Sequence, residues 1–275
     1  YEVDFDFTKS DVISRMYPTE DQVEKLGKKE PLTIGWFDNI ANALAADSKP
    51  ISKEMFTKPV VFCEYAHAMG NSCGDIAQYW DMICNNEQMM GGFVWEWADH
   101  GIKTEKGFLY GGDHGEWRHD GCFCVDGLVY PDRRLHTGAK QMKNVYRPIR
   151  ASLEDNKLVF LNTNRFRNTS YITAVWEIVK NGNNLLAVDE AVMDIAPEAT
   201  LEIPFDFKLP KEKCDCHINI YYYSGDDEIA FEQIALKEDF VFLPEKSKDK
   251  LNITSDEEKT VVNFNCGNIT FNAES

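Results

Sequence analysis

The pattern of apolar and polar positions changes character near residue 148. Ahead of that point, short apolar runs alternate with stretches whose apolar residues recur at helical spacing. Residues 11–17, Asp-Val-Ile-Ser-Arg-Met-Tyr, predict a short strand that ends in a polar loop. Pro18-Thr19-Glu20-Asp21-Gln22 then predicts a helix start, with Thr19 as N-cap and Gln22 placed to close a capping box. Ile34, Phe37, Ile40, Ala41 and Leu44 recur with helical period and predict a helix over 33–46. The run Pro59-Val60-Val61-Phe62-Cys63 is short, continuously apolar and ends at Glu64, the signature of a buried parallel strand. Further on, the pattern predicts a helix from about Gly74 to Asn85, strands at Phe93-Val94-Trp95 and around Leu128-Val129-Tyr130, and a helix containing Lys140-Gln141-Met142. Strand and helix in that order read as a parallel α/β unit. It occupies roughly 150 residues, whereas a closed (β/α)₈ barrel takes about 250, so the unit is part of a barrel.

Beyond Pro148 the runs become β-branched and aromatic: Leu158–Leu161, Tyr171–Val179, Leu201–Phe205 and His217–Tyr222. Turn clusters such as Asn181-Gly182-Asn183-Asn184 and Ser224-Gly225-Asp226-Asp227 separate them. Short strands punctuated in this way predict an antiparallel β-sandwich over 149–245. Lys246-Ser247-Lys248-Asp249-Lys250 reads as a polar linker. Two strands, Thr260–Phe264 and Asn268–Phe271, then open a further β-rich domain, truncated, over 246–275.

Composition narrows the function. With 43% apolar and 12% aromatic residues the chain can build sizeable cores. A net charge of −17 opposes binding to nucleic acid, whose phosphates it would repel. No stretch approaches the roughly 20 apolar residues of a membrane span. The acidic start, Tyr1-Glu2-Val3-Asp4, resembles neither a signal peptide nor an initiator. Cys122-x-Cys124 and Cys214-x-Cys216 lack the C-x₂-C spacing of a structural zinc knuckle, and Cys216 with His217 falls at the start of a predicted strand.

Glu64 is the residue that most invites chemistry. Catalytic groups of a (β/α)₈ barrel sit at the C-terminal ends of its strands, which is where Glu64 would lie. Taken alone, such a glutamate could equally cap the next helix. Its surroundings are more specific: Cys63-Glu64-Tyr65-Ala66-His67-Ala68-Met69-Gly70-Asn71-Ser72, then Gly91-Gly92-Phe93-Val94-Trp95-Glu96-Trp97-Ala98-Asp99, Tyr110-Gly111-Gly112-Asp113 and Phe123-Cys124-Val125-Asp126-Gly127. These motifs, in this order, resemble the large bacterial β-galactosidases of glycoside hydrolase family 2. The resemblance continues through His136, Lys140-Gln141 and Tyr146-Arg147-Pro148; beyond about residue 150 it is one of domain order.

The resemblance implies that 1–148 are the C-terminal part of the catalytic barrel, that the sandwich is immunoglobulin-like, and that the substrate is a terminal β-galactoside. It assigns Glu64 as the nucleophile of a retaining hydrolase and Tyr17 as the residue that holds it by a hydrogen bond. His67 would contact sugar hydroxyls, and Trp95 would floor the sugar, leaving Trp97 as the core residue of the pair. Phe123, through its carbonyl, and Asp126 would contribute to a sodium site; family members known best carry Asn at the second position. The family's acid/base glutamate and its magnesium ligands precede the stretch that begins at Tyr1. Glu87, Glu96 and Glu116 sit in no matching motif, and Asp113 and His114 are expected to order their loop. The expectation is therefore an incomplete catalytic unit, inactive or nearly so alone, that partners with the rest of its parent chain or with further copies. Two other readings remain open at this stage. One is a family relative acting on another β-glycoside, such as a β-glucuronide, although no cationic group for a uronate appears in the motifs. The other is a non-catalytic carbohydrate-binding or interaction module, although its predicted strands show no exposed aromatic row.

Overall fold

The computed structural model describes residues 10–30, 57–71, 73–239, 251–256, 258–264 and 267–272. The expected helix over 33–46 and the linker at 246–250 lie outside them.

The first part is built on β1 (Ile13–Met16), α1 (Glu20–Gly27), β2 (Val60–Tyr65), α2 (Ile76–Cys84), β3 (Met89–Val94), the hairpin β4 (Ile102–Thr104) and β5 (Gly107–Leu109), and α3 (Thr137–Val145). Strands β1, β2 and β3 pair in that order, all parallel, with Ile13 opposite Val60 and Met16 opposite Glu64. No closed barrel forms among the described residues. Helices α1 and α2 bury Val23, Leu26, Ile76 and Ile83 against Ile13, Val60 and Phe62 of the sheet. Thr19 and Gln22 form the expected capping box at the start of α1. Gly92 is a steric requirement: a Cβ there would come within 2.8 Å of the Tyr65 ring and 3.0 Å of Phe62 Cβ on β2.

The strand expected around Leu128-Val129-Tyr130 does not form. Val129 makes only single bridges, parallel to Ala98 and antiparallel to Leu135. The chain crosses Ala98–Asp99 so closely at Gly127 that a Cβ would lie 2.2 Å from the Asp99 nitrogen. Pro131, with no N–H, then prevents a ladder from propagating.

The second part comprises β6 (Ile149–Glu154), β7 (Lys157–Asn162), β8 (Thr173–Lys180), β9 (Asn184–Val192), β10 (Thr200–Pro204), β11 (Asp215–Ser224) and β12 (Asp227–Glu238). They form two antiparallel sheets, β10-β7-β6 and β12-β11-β8-β9. Alternation along the strands aims Leu158, Phe160, Ala174, Trp176, Ile178, Ile218, Ile220 and Tyr222 into one shared core. The same alternation buries Cys216 and turns His217 away from it. The Cys214 and Cys216 sulfurs lie 3.7 Å apart, and His217 joins no metal-binding group with them among the described residues. Three final strands, β13 (Asn252–Ser255), β14 (Lys259–Phe264) and β15 (Gly267–Asn272), make an antiparallel meander where two were expected.

The two parts meet through α3. Glu232 on β12 accepts hydrogen bonds from Arg147 Nη2 at 2.6 Å, from the Ala151 nitrogen at 2.8 Å and from the Tyr222 hydroxyl. Asn144 accepts from the Phe231 nitrogen at 3.0 Å, and Lys143 pairs with Glu228 at 3.0 Å.

Candidate active site

The candidate residues Tyr17, Glu64, His67, Trp95, Phe123 and Asp126 gather at the C-terminal edge of the parallel sheet, on segments that follow or end its strands. Strand β1 stops at Met16, and Tyr17 turns into positive φ, 45°, while its nitrogen still donates to the Glu64 carbonyl at 2.8 Å. That bond carries the phenol to the glutamate. The Tyr17 hydroxyl is held well above the usual phenol range by burial, by the negative charge of Glu64, by a hydrogen bond to that carboxylate and by Asp126. A phenol in that state keeps its proton and donates it to Glu64.

Beyond β2 the chain turns at Ala66, φ 47°, and presents His67. Its Nδ1 accepts from the Met69 nitrogen at 3.3 Å, so the neutral ring carries its proton on Nε2, 4.0 Å from Asp126 Oδ2. The ring lies 5.7 Å from Tyr17 and 6.4 Å, edge-on, from Phe123. Trp95 follows β3 directly. Its nitrogen donates to the Tyr65 carbonyl at 3.2 Å and its carbonyl accepts from Ala68 at 2.6 Å, so the backbone is clamped on both sides. Its indole Nε1 donates to Asp126 Oδ2 at 3.2 Å. Trp97 is not the core residue expected of it, being 65% exposed. The strand ends at Val94, so two-residue alternation no longer governs these positions.

Asp126 is 2% exposed, and its Oδ1 has no hydrogen-bond partner. A buried carboxylate oxygen without a donor is costly unless a cation or a proton compensates it. This chemistry fits a cation beside Asp126. Phe123, 63% exposed, stands at the rim with its ring toward His67.

Four further residues shape the site, and sequence reasoning gave none of them a role. The Glu96 nitrogen donates to the Asp126 carbonyl at 3.0 Å, and the Leu128 nitrogen to the Glu96 carbonyl at 2.8 Å. Burial raises the Glu96 carboxyl above its ordinary range; His100, 2.8 Å away, opposes the shift, while Asp126 and Glu64 add to it. Asp99 accepts from the Gly127 nitrogen at 2.8 Å and from His136 Nε2 at 2.7 Å, and so fastens the loop that carries Asp126. The string Glu96-Trp97-Ala98-Asp99-His100 holds three of these residues together, which is the one signal that pointed to them. Asp113 orders its loop as expected, accepting from the Tyr110 nitrogen at 2.9 Å; Glu116, for which no such role was expected, accepts from the nitrogens of Gly112 and His114.

Residues 2–151 match the family model described as "Glycosyl hydrolases family 2, TIM barrel domain". Among curated proteins, a beta-galactosidase of Actinobacillus pleuropneumoniae is 37% identical over 226 residues, covering 78% of this chain and 22% of that protein. A beta-galactosidase of Staphylococcus xylosus is 32% identical over 265 residues, covering 94% of this chain and 24% of that protein. The chain thus spans less than a quarter of the length of these relatives. A solved beta-D-mannosidase from Dictyoglomus thermophilum is similar at 14% identity over 68% of this chain and 21% of that one; with a TM-score of 0.26 the likeness carries no argument.

Proposed function

The chain belongs to glycosyl hydrolase family 2 through its TIM barrel domain at residues 2–151, and from that premise we propose that it is part of a retaining β-galactosidase with Glu64 as nucleophile. The observation that supports this reading is the convergence of a protonated Tyr17, His67, Trp95 and Asp126 around one strand-end carboxylate. In the first step the Glu64 carboxylate attacks the anomeric carbon. The carbon's bond to the leaving oxygen breaks, and a galactosyl ester forms. In the second step water attacks the anomeric carbon, the ester bond to Glu64 breaks to restore the carboxylate, and the water's proton passes to the acid/base group of the parent protein. Tyr17 fixes the carboxylate and limits its basicity. His67 Nε2–H meets sugar hydroxyls, and the Trp95 indole supplies an apolar surface for the ring's carbon face.

The cation proposed at Asp126 is sodium, held with the Phe123 carbonyl, where it would neutralise the carboxylate and offer a hard centre to a sugar hydroxyl. Magnesium belongs, on this reading, to parts of the parent protein that carry its ligands. Residues 1–148 are the C-terminal part of the barrel, 149–245 an immunoglobulin-like sandwich and 246–275 the beginning of a further β-rich domain. The acid/base glutamate is assigned to the remainder of the parent chain, since no glutamate in the matched motifs other than Glu64 has a family role, and without it the leaving group would go unprotonated. That loss costs on the order of 10²–10⁴ in rate.

A dinitrophenyl leaving group needs no proton, so activated glycosides test the reading directly. The 275-residue chain is expected to release dinitrophenolate slowly from the β-galactoside and not from unactivated alkyl galactosides. Glu64→Gln abolishes the release. Faster release from the β-glucuronide or β-mannoside would contradict the galactoside assignment. Equal release by chain and variant would contradict the role of Glu64.

A further inference from the structure

We propose that Glu96, His100 and Asp126 form a binding site for a divalent first-row metal ion of the manganese or zinc class. One oxygen of each carboxylate and one imidazole nitrogen lie within 4.8 Å of one another, and among the described residues no other group of three such ligands does so. Around a bound ion with oxygen and nitrogen ligands at about 2.0–2.2 Å, neighbouring ligand atoms stand roughly 3.0–3.6 Å apart. The Glu96–His100 pair, at 2.8 Å, is already that close, and Asp126 has to close in by about 1–2 Å at most.

Three observations mark this group as a built site rather than a chance cluster. Asp126 is almost wholly buried, and its Oδ1 lacks a donor. The Glu96 oxygen that faces His100 is itself buried, and no lysine or arginine contact is seen at either carboxylate among the described residues. The ligands also ride on two segments locked together by backbone hydrogen bonds, from the Glu96 nitrogen to the Asp126 carbonyl at 3.0 Å and from the His100 nitrogen to the Cys124 carbonyl at 2.7 Å. Two close carboxylates in a desolvated corner repel each other, and one imidazolium can offset only half of their charge. Two carboxylate oxygens with one imidazole suit a borderline divalent ion better than an alkali cation, which gains nothing from the nitrogen. His100, with its side chain 59% exposed, also lines an open cleft of about 330 Å³ with Tyr110, His119 and Phe123, and this cleft supplies the ion's path from solvent.

The inference does not depend on Glu64 acting as a nucleophile. It shares Asp126 with the sodium reading, so the test is made without sodium. Manganese(II) is the probe because it is seen directly by electron paramagnetic resonance and competes poorly for the chain's cysteines. Titrated in tetramethylammonium chloride, the chain is expected to take up one manganese ion tightly, beyond the weak binding of its acidic surface. His100→Ala, at an exposed position, and Glu96→Gln should each weaken that uptake at least tenfold, with circular dichroism unchanged. Uptake that is equal in chain and both variants would assign the metal to the surface and overturn the proposal, as would no tight uptake. Uptake lost in Asp126→Asn but kept in both other variants would assign the ion to Asp126 alone and also overturn it.

Discussion

Tyr17 meets Glu64 through both its backbone and its phenol, so replacing it separates geometry from chemistry. Tyr17→Phe keeps the ring and the backbone bond and removes only the donor. On the proposed reading, dinitrophenolate release should fall by about 10²-fold, the scale of losing one aligned donor at a reacting oxygen. Little change in rate would mean that the phenol only fills space. At this scale the sequence was partly legible. Glu64, His67, Trp95 and Asp126 stand in recognisable strings, and the fold brings them together. Glu96 and His100 were not legible as partners. They are four residues apart on a non-helical turn, so their approach depends on a loop that returns some 30 residues later. Trp97 was misjudged for a related reason: its orientation is set by where β3 ends, not by its chemistry.

Single residues decide whether elements form and where they pack. Thr19 and Gln22 satisfy each other's backbone donors at the start of α1. Thr19→Ala should therefore cost about 1 kcal/mol, read from urea unfolding. Gly92→Ala should be more harmful, because its methyl group would press on Tyr65 and Phe62 in the middle of the parallel sheet. A loss of roughly 1–3 kcal/mol is expected, and a neutral result would mean that β2 and β3 are free to separate. Elements with strong periodicity were readable in advance, among them the capped helix, the apolar β2 and the alternating β8 and β11. The strands β6, β9 and β12 were not. Strand β9 is mostly exposed, and its pattern Asn-Leu-Leu-Ala-Val-Asp-Glu-Ala-Val has no clean alternation; pairing with β8 makes it a strand. The opposite error at Leu128–Tyr130 comes from an apolar run whose backbone nitrogens bond to Glu96, Trp97 and Arg134, on two different segments, and so make isolated bridges and no strand.

At the scale of the molecule, the seam between the parallel unit and the two-sheet unit turns on Glu232. Its carboxylate is 12% exposed and serves Arg147, Ala151 and Tyr222 at once. Glu232→Ala would leave the Arg147 charge, 15% exposed, without its partner, at a cost of about 3 kcal/mol in thermal or urea unfolding. A cost near zero would mean that water replaces the carboxylate and that the seam is held by apolar packing. The change of hydrophobic period near residue 148 falls where α3 gives way to β6. The seam was not legible, since it joins side chains 85 positions apart.

The central claim concerns Glu64, and covalent capture tests it most directly. A 2-deoxy-2-fluoro-β-galactoside with a dinitrophenyl leaving group needs no acid to form the glycosyl-enzyme and releases it slowly. Incubation followed by peptide mass mapping should find one fluorogalactosyl group on the peptide that carries Glu64, and none on Glu64→Gln. Labelling of another carboxylate, or of the variant as readily as the chain, would contradict the account.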